Sequence, residues 1–147
     1  MIRCLLETAL VIFFVRYERL TGILFKSMAC RDGLYPQKEA ARLWLDFDTT
    51  SAPAVKGFIR LLEQAYGIDW RGLDPSLKRL EKKARRIRSD IIHAKGRYPC
   101  VILLQSLGTV RKLHRERKKI LNEFKEKRCS MDTQSMRREI SRLVDKK

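Results

Sequence analysis

The sequence predicts an all-α fold, an antiparallel bundle of about four to six helices in which two long helices are strongly basic. Three observations favour this fold. Apolar residues recur at steps of three and four through most of the chain, helix-starting and helix-ending residues separate these stretches, and neither a strand pattern nor an internal repeat is present. The chain has 147 residues, of which 44% are hydrophobic. It can therefore bury a core without disulfides or metals.

An apolar segment opens the chain, and we predict that residues 1–33 form a separate N-terminal helix or extension. Its apolar run from Leu5 to Val15 includes Glu7, and a second apolar cluster follows at 23–25. A bilayer-spanning helix needs about 18 apolar residues, more than this run supplies. No clear signal-peptidase site follows it. We expect the helix to be buried or to face a partner, with an organelle-targeting segment as the alternative, and residues 34–147 to form the basic bundle.

Two shorter helices are predicted next. Residues 36–47 begin at Pro36 and place Leu43, Trp44 and Phe47 on one face. The following helix has Ser51 as its N-cap, a stripe of apolar residues, and Gly67 at its end. The stripe consists of Val55, Phe58, Ile59, Leu62 and Tyr66.

The two long basic helices follow. Asp74 and Pro75 are a strong N-cap and first-position pair, and the helix is expected to run to about Lys95. A break at 96–99 is predicted because Gly96 can take the left-handed cap conformation and Pro99 ends helix propagation. The second basic helix is expected from Val101 to Arg128. Where its apolar face thins at 111–119, it is expected to project from the core or to lie against a ligand. The inward residues are predicted to be Leu77, Leu80, Ala84, Ile87, Ile91 and Ile92, then Leu103, Leu104, Leu107, Val110, Leu113, Ile120, Leu121 and Phe124.

A final helix is predicted after a cap at 130–132. Met136, Ile140, Leu143 and Val144 share one of its faces. That face has the spacing of a helix packed on a core.

The net charge of +16 is concentrated in the second half of the chain. Residues 1–74 hold 10 basic and 9 acidic side chains, whereas residues 75–147 hold 23 basic and 8 acidic ones. Such a balance predicts attraction to nucleic acid or to an anionic membrane.

Motifs for catalysis are nearly absent, and the sequence predicts a protein that is not an enzyme. It contains no phosphate-binding glycine loop, no His-Glu-x-x-His motif and no serine elbow. The scattered cysteines are expected to be packing residues, because a zinc site usually supplies its ligands in close pairs. We predict no metal, cofactor or small-molecule substrate. His93 and His114 are expected to pack or to contact RNA. The four cysteines are Cys4, Cys30, Cys100 and Cys129.

Two basic clusters favour RNA as the partner. Arg85, Arg86 and Arg88 form the first, and 117–119 forms the second. Successive helical residues point about 100° apart, so each cluster offers charge to phosphates on more than one side. Aromatic residues are sparse here, which favours recognition of the shape and phosphates of folded RNA over stacking on single strands. The predicted basic contacts are Lys82, Arg85, Arg86, Arg88, Lys95, Arg97, Arg111, Lys112, Arg115, Arg117, Lys118 and Lys119.

Several short stretches resemble the family of the universal small-subunit ribosomal protein number fifteen, in a strongly diverged organellar form. The stretch 38–47 is similar to the family's first helix, and 132–143 keeps the apolar spacing of its last. Asp48-Thr49-Thr50-Ser51 is similar to an Asp-Thr-Gly-Ser turn, His93-Ala94-Lys95 to a corner beginning His-Lys-Lys-Asp, and 117–124 to an Arg-Arg-Lys-Leu-Leu-Asp-Tyr-Leu run. Thr50 replaces the turn glycine, and Gly96 replaces the corner aspartate.

The resemblance implies a structural protein that binds ribosomal RNA in a mitochondrial small ribosomal subunit. Thr49, Ser51 and His93 would then make the shape-specific hydrogen bonds, and Thr50 would be a further RNA contact. Residues 5–25 would contact neighbouring ribosomal proteins. The register of the turn stays open between Asp48 and Asp74, because the second choice restores the family's spacing but abandons Thr49. A membrane-surface adaptor with an N-terminal amphipathic anchor and a DNA-binding helical accessory protein are the alternatives.

Overall fold

Six α-helices and one short 3-10 turn make up the computed structural model, which describes residues 2–145. No strand occurs in this range, so the predicted all-α class is confirmed. Met1, Lys146 and Lys147 lie outside the described range. The helices are α1 (Ile2–Cys30), α2 (Gln37–Asp46), α3 (Ala52–Tyr66), α4 (Pro75–Ile92), α5 (Cys100–Glu126) and α6 (Thr133–Val144), with the 3-10 turn at Arg31–Gly33.

Three predicted N-caps are confirmed by their hydrogen bonds. The Ser51 hydroxyl accepts from the Ala54 amide at 3.3 Å. The Asp74 and Asp132 carboxylates accept from the amides three residues on, at 2.9 and 2.7 Å. Gly67 ends α3 with a φ of 66°. These caps satisfy backbone groups that the helix ends leave without partners.

The break between α4 and α5 differs from the prediction. Helix α4 ends at Ile92, and Ala94 takes the left-handed conformation with a φ of 51°, not Gly96. The Lys95 amide donates to the Asp90 carbonyl at 2.9 Å and the Ala94 amide to the Ile91 carbonyl at 3.2 Å. This is the bond pattern of a Schellman helix end, which fixes the left-handed position two residues before the glycine.

The described chain divides into two compact units, each built from two separate segments. Unit 1 contains residues 2–20 and Gly72–Lys119, and unit 2 contains Thr21–Arg71 and 120–145. Helices α1 and α5 therefore contribute residues to both units. The predicted boundary after residue 33 falls at the end of the 3-10 turn and within unit 2.

Unit 2 has an aromatic core. Phe25 of α1 lies 5.4 Å from Trp44, 5.2 Å from Phe47 and 5.5 Å from Phe58, measured between ring centroids. Gly22 makes room for this cluster, because a Cβ at that position would lie 2.9 Å from the Trp44 indole. Close ring packing of this kind contributes beyond the buried area alone.

Arg31 caps the C-terminal end of α5 within unit 2. Its guanidinium donates to the Phe124 carbonyl at 3.0 Å, to the Lys125 carbonyl at 3.3 Å, and to the Lys127 carbonyl. It also lies over the rings of Tyr66 and Phe124. A cation at this position satisfies carbonyls that the last helical turn leaves open.

Unit 1 is built from the first part of α1, all of α4 and the first part of α5. Leu10, Phe14, Ala84, Leu103 and Leu113 are buried there. Contacts of Tyr17 with Glu81, and of Phe14 with Arg85 and Arg88, show that α1 and α4 run in opposite directions.

Some predicted core positions of unit 1 are wrong. Leu80, Ile92 and Leu104 are exposed, because each helix of this small unit buries only a narrow stripe and residues at its edge reach solvent. The stretch 111–119 does not project from the unit, since Val110 and Leu113 are buried and Arg117 is 14% exposed.

The cysteines are not buried packing residues as predicted. Cys4 and Cys100 are exposed, while Cys30 and Cys129 are partly exposed. Cys4 and Cys100 lie at the starts of α1 and α5, where the helix ends leave side chains open to solvent. All four are free thiols.

Candidate nucleic-acid interface

The acidic side chains of unit 1 form ion pairs or hydrogen bonds with other residues of the same unit. It holds 18 basic and 6 acidic side chains, a net charge of +12, against 13 and 11 in the described segments of unit 2, a net charge of +2. Each of the six carboxylates has a partner inside unit 1 among the described residues. The pairs are Glu7 with Arg3, Glu18 with Arg85 and Arg88, Asp74 with the Leu77 amide, Glu81 with Arg85 and Arg117, Asp90 with Tyr98, and Glu116 with Lys119.

Glu81 is the centre of the largest of these networks. Its carboxylate lies 3.0 Å from the Arg85 guanidinium and 3.8 Å from that of Arg117, and it accepts a hydrogen bond from the Tyr17 hydroxyl at 3.1 Å. The Arg117 guanidinium also lies over the Tyr17 ring, 5.5 Å from its centroid. Burial is the main reason that the pKa of the Tyr17 hydroxyl is raised, so this group is a neutral donor.

Glu18 extends the network through α1. It lies 3.2 Å from Arg88 and 3.7 Å from Arg85, and both guanidinium groups are within about 5 Å of the Phe14 ring. Arg85, Arg88 and Arg117 were predicted RNA contacts, and the structure places them in contacts that hold unit 1 together. Their role toward RNA stays a prediction.

Thirteen other basic side chains of unit 1 are exposed and form no ion pair within the described part of the chain. This set defines the candidate interface, called the basic surface below. Its members are Arg16, Arg19, Lys78, Arg79, Lys82, Lys83, Arg86, Lys95, Arg97, Arg111, Lys112, Arg115 and Lys118.

The helical positions of the basic surface place its charges on continuous faces. On α4, Lys78, Lys82 and Arg86 are four residues apart, and Arg79 and Lys83 lie beside them. At 1.5 Å per residue the first series extends over about 12 Å. On α5, the residues 111, 112, 115 and 118 are exposed beside the stripe that contains buried Val110 and Leu113. Rows of unpaired cations on helix sides suit the phosphates of a polyanion.

The structure places half of the sixteen predicted RNA contacts on the basic surface. Eight belong to the basic surface, Lys119 pairs with Glu116, and His93 is exposed in the loop between α4 and α5. The predicted set missed Arg16, Arg19, Lys78, Arg79 and Lys83. The eight are Lys82, Arg86, Lys95, Arg97, Arg111, Lys112, Arg115 and Lys118.

Thr49, Thr50 and Ser51 belong to unit 2, whereas the other predicted contacts belong to unit 1. The Thr50 amide and hydroxyl both donate to the Asp48 carboxylate, and Ser51 caps α3. Two of the three hydroxyls therefore already have partners in the turn.

A cleft opens between α1 and α5 within unit 1. It has a volume of about 400 Å³ and is lined by Phe13 and Arg16 of α1 and by five residues of α5. Burial lowers the pKa of the His114 imidazole, and the positive charges of Lys118 and Arg16 lower it further. His114 is therefore neutral near pH 7. The α5 residues are Val110, Arg111, His114, Arg115 and Lys118.

Comparisons with protein-family models, with curated proteins and with solved structures found no match for this chain.

Proposed function

We propose that the protein is a structural component of a mitochondrial small ribosomal subunit, where the basic surface binds ribosomal RNA. The observation that carries this proposal is the charge arrangement of unit 1. Its six carboxylates have partners within the unit, while 13 of its cations are exposed and form no ion pair with any residue that the structure describes. Phosphate contacts would release counterions from the RNA and supply most of the affinity.

The resemblance of 38–47, 93–95 and 117–124 to the ribosomal protein family supports the choice of ribosomal RNA over other polyanions. The scarcity of exposed aromatic residues on the basic surface supports folded RNA over single strands. His93 and Thr49 are exposed and would supply hydrogen bonds to the RNA in this proposal.

Neighbouring ribosomal proteins would pack against the exposed apolar face of α1. Ile2 and Leu5 are 69% and 67% exposed, and Ile12 and Val15 continue the same side of the helix. Apolar residues in such a row are typical of a protein interface.

Charge reversal on α4 tests the RNA proposal. A variant with Lys78, Lys82, Lys83 and Arg86 changed to Glu should bind a small-subunit ribosomal RNA fragment much more weakly than the native chain. Each phosphate contact contributes about one unit to the slope of log affinity against log salt, so the slope should fall by about three to four. Filter binding or fluorescence anisotropy between low and moderate salt measures both quantities.

The control is a charge-reversal variant of unit 2 that has the same net charge as the α4 variant. Lys38 and Arg42 on α2, with Lys56 and Arg60 on α3, are exposed and four residues apart in each pair. Changing these four to Glu lowers the formal net charge from +16 to +8, as does the α4 variant. The control should keep most of its affinity and slope. Equal losses in the two variants would disprove a specific basic surface, and tighter binding to duplex DNA would favour the DNA-binding alternative.

A gradient experiment tests the ribosomal part of the proposal. The chain should sediment with the small subunit of mitochondrial ribosomes through a high-salt sucrose gradient. Sedimentation only at low salt, or with neither subunit, would leave RNA binding intact but contradict the ribosomal assignment.

A membrane-surface adaptor is the second candidate function, and the exposed apolar face of α1 favours it. No helix within residues 2–145 is long and apolar enough to cross a bilayer. The face includes Arg16 and Arg19 beside its apolar residues, a combination that is found in helices lying on anionic lipid. Flotation with phosphatidylserine vesicles that is lost in Leu5→Glu and retained in the α4 variant would support this function over RNA binding.

A further inference from the structure

The cleft between α1 and α5 differs in shape from the rest of the basic surface. On α4 the exposed cations form a row, whereas Arg16, Arg111, Arg115 and Lys118 line one open space of about 400 Å³. None of its lining residues within the described range 2–145 carries a carboxylate. The carboxylates nearest in sequence are engaged elsewhere, Glu116 with Lys119 and Glu18 with Arg85 and Arg88.

Four cations around one small space suit a ligand whose negative charge is concentrated. A phosphodiester along a strand carries one negative charge, whereas a terminal phosphate carries about 1.5 to 2 near pH 7. Arginine can donate two parallel hydrogen bonds to such a group. Arg16 reaches the cleft from α1, and the other three cations reach it from α5, so a bound phosphate would be held from two sides.

The remaining lining is apolar or neutral. Phe13 is partly buried and Val110 is fully buried, so their side chains form an apolar wall. His114 adds a ring that can donate or accept a hydrogen bond. A volume of about 400 Å³ lies in the range of small-ligand pockets.

We propose that this cleft binds the terminal phosphate of a nucleotide, with the phosphate among Arg16, Arg115 and Lys118 and the base against Phe13. The nucleotide is either a free nucleoside phosphate or the 5′ end of an RNA strand. The site is distinct from the row of cations on α4 and does not depend on the ribosomal assignment.

Calorimetric titration of the full chain tests the site, with ADP, adenosine and inorganic phosphate as separate probes. ADP should bind at least tenfold more tightly than either of the others, because only ADP offers both a charged group and a ring. Equal affinity for adenosine and ADP, or for phosphate and ADP, would overturn the proposal. Matched RNA hexamers with a 5′ phosphate or a 5′ hydroxyl then identify the source. A preference for the phosphorylated end above tenfold indicates RNA ends, and no preference indicates free nucleotides.

Two double variants with the same change of charge distinguish ADP binding in the cleft from attraction by the net charge of the chain. Arg115→Gln with Lys118→Gln should weaken ADP binding at least tenfold. Lys82→Gln with Arg86→Gln removes the same charge from α4 and should change it less than twofold. Equal losses in both would mean that the affinity comes from net charge alone and would refute the site.

The two histidines of the native chain supply a readout that needs no variant of the cleft. His114 lines the cleft, while His93 lies in the loop between α4 and α5. In proton NMR spectra, addition of ADP should shift the His114 imidazole signals and leave the His93 signals in place. Shifts of both or of neither would contradict the proposal. His93→Gln assigns the two sets of signals.

Discussion

Unit 2 and unit 1 differ in the contacts of their aromatic side chains, which are mainly with other rings in unit 2 and mainly with guanidinium groups in unit 1. In unit 2, Phe25, Trp44, Phe47 and Phe58 form a ring cluster. In unit 1, guanidinium groups lie over Phe14 and Tyr17 and are held there by Glu18 and Glu81. The difference shows why a net charge of +12 is tolerated in unit 1. Glu18 and Glu81 neutralise the inner arginines, and the thirteen cations of the basic surface are exposed to water.

Phe25→Ala tests the ring cluster of unit 2 and is expected to have the largest effect on stability. Phe25 is fully buried and lies against three other rings of unit 2. Its loss should lower the free energy of unfolding by about 3–5 kcal/mol, through lost burial and the cavity that remains. Urea denaturation at pH 7 measures the change. Leu45→Ala is the control, since this residue is 82% exposed, and it should cost less than about 0.5 kcal/mol. Similar losses in both variants would show that the ring cluster is not a core.

Glu81→Gln should have a smaller effect and should act on unit 1. The amide keeps the size of the side chain but removes the charge that faces Arg85 and Arg117. Hydrogen bonds to charged groups contribute about 1.5–3 kcal/mol, and a loss in this range is expected because Glu81 is only 17% exposed. Urea denaturation of the variant beside the native chain measures it.

Glu123→Gln is the matched control for Glu81. Glu123 pairs with Lys127 at 3.7 Å at an exposed position, so its loss should cost less than about 0.5 kcal/mol. A loss for Glu81→Gln equal to that of the control, or greater than that of Phe25→Ala, would contradict the contrast between the two units.

The smallest expected effect concerns His114 and pH. Its pKa is lowered in the folded chain, first by burial and then by Lys118 and Arg16. The unfolded chain therefore binds the proton more readily, and stability should fall as the pH drops from about 7.5 to 5.5. His114→Gln should make this fall shallower, as measured by thermal unfolding across the pH range. A steeper fall in the variant would show that the pKa shift has the opposite sign.

Local sequence signals predicted much of the fold. Ser51, Asp74 and Asp132 begin their helices because each side chain can accept a bond from an amide three residues ahead. The end of α4 was not predictable in this way, since the bond from Lys95 to Asp90 places the left-handed residue at Ala94 and not at glycine. The division into two units depends on packing between distant segments, which periodicity does not reveal.

The candidate interface was predicted only in part, because it too depends on packing between segments that are distant in the sequence. Exposed cations such as Lys82 and Arg115 can be identified from helical spacing, because they lie opposite the apolar stripe. Whether Arg88 is free depends on Glu18, 70 residues away in the chain. Arg16 was missed because it follows an apolar run, and only the packing of α1 beside α5 makes it a cleft residue.

The sharing of α1 and α5 by both units limits what deletion mapping can reveal. Removal of residues 1–30 would take Leu10 and Phe14 from unit 1 and Phe25 from unit 2. A truncation that abolishes binding would then report unfolding as readily as the loss of a contact surface. Neither unit is a continuous segment of the chain, so neither can be expressed as a single fragment. Single surface substitutions are therefore the appropriate way to map the function of this protein.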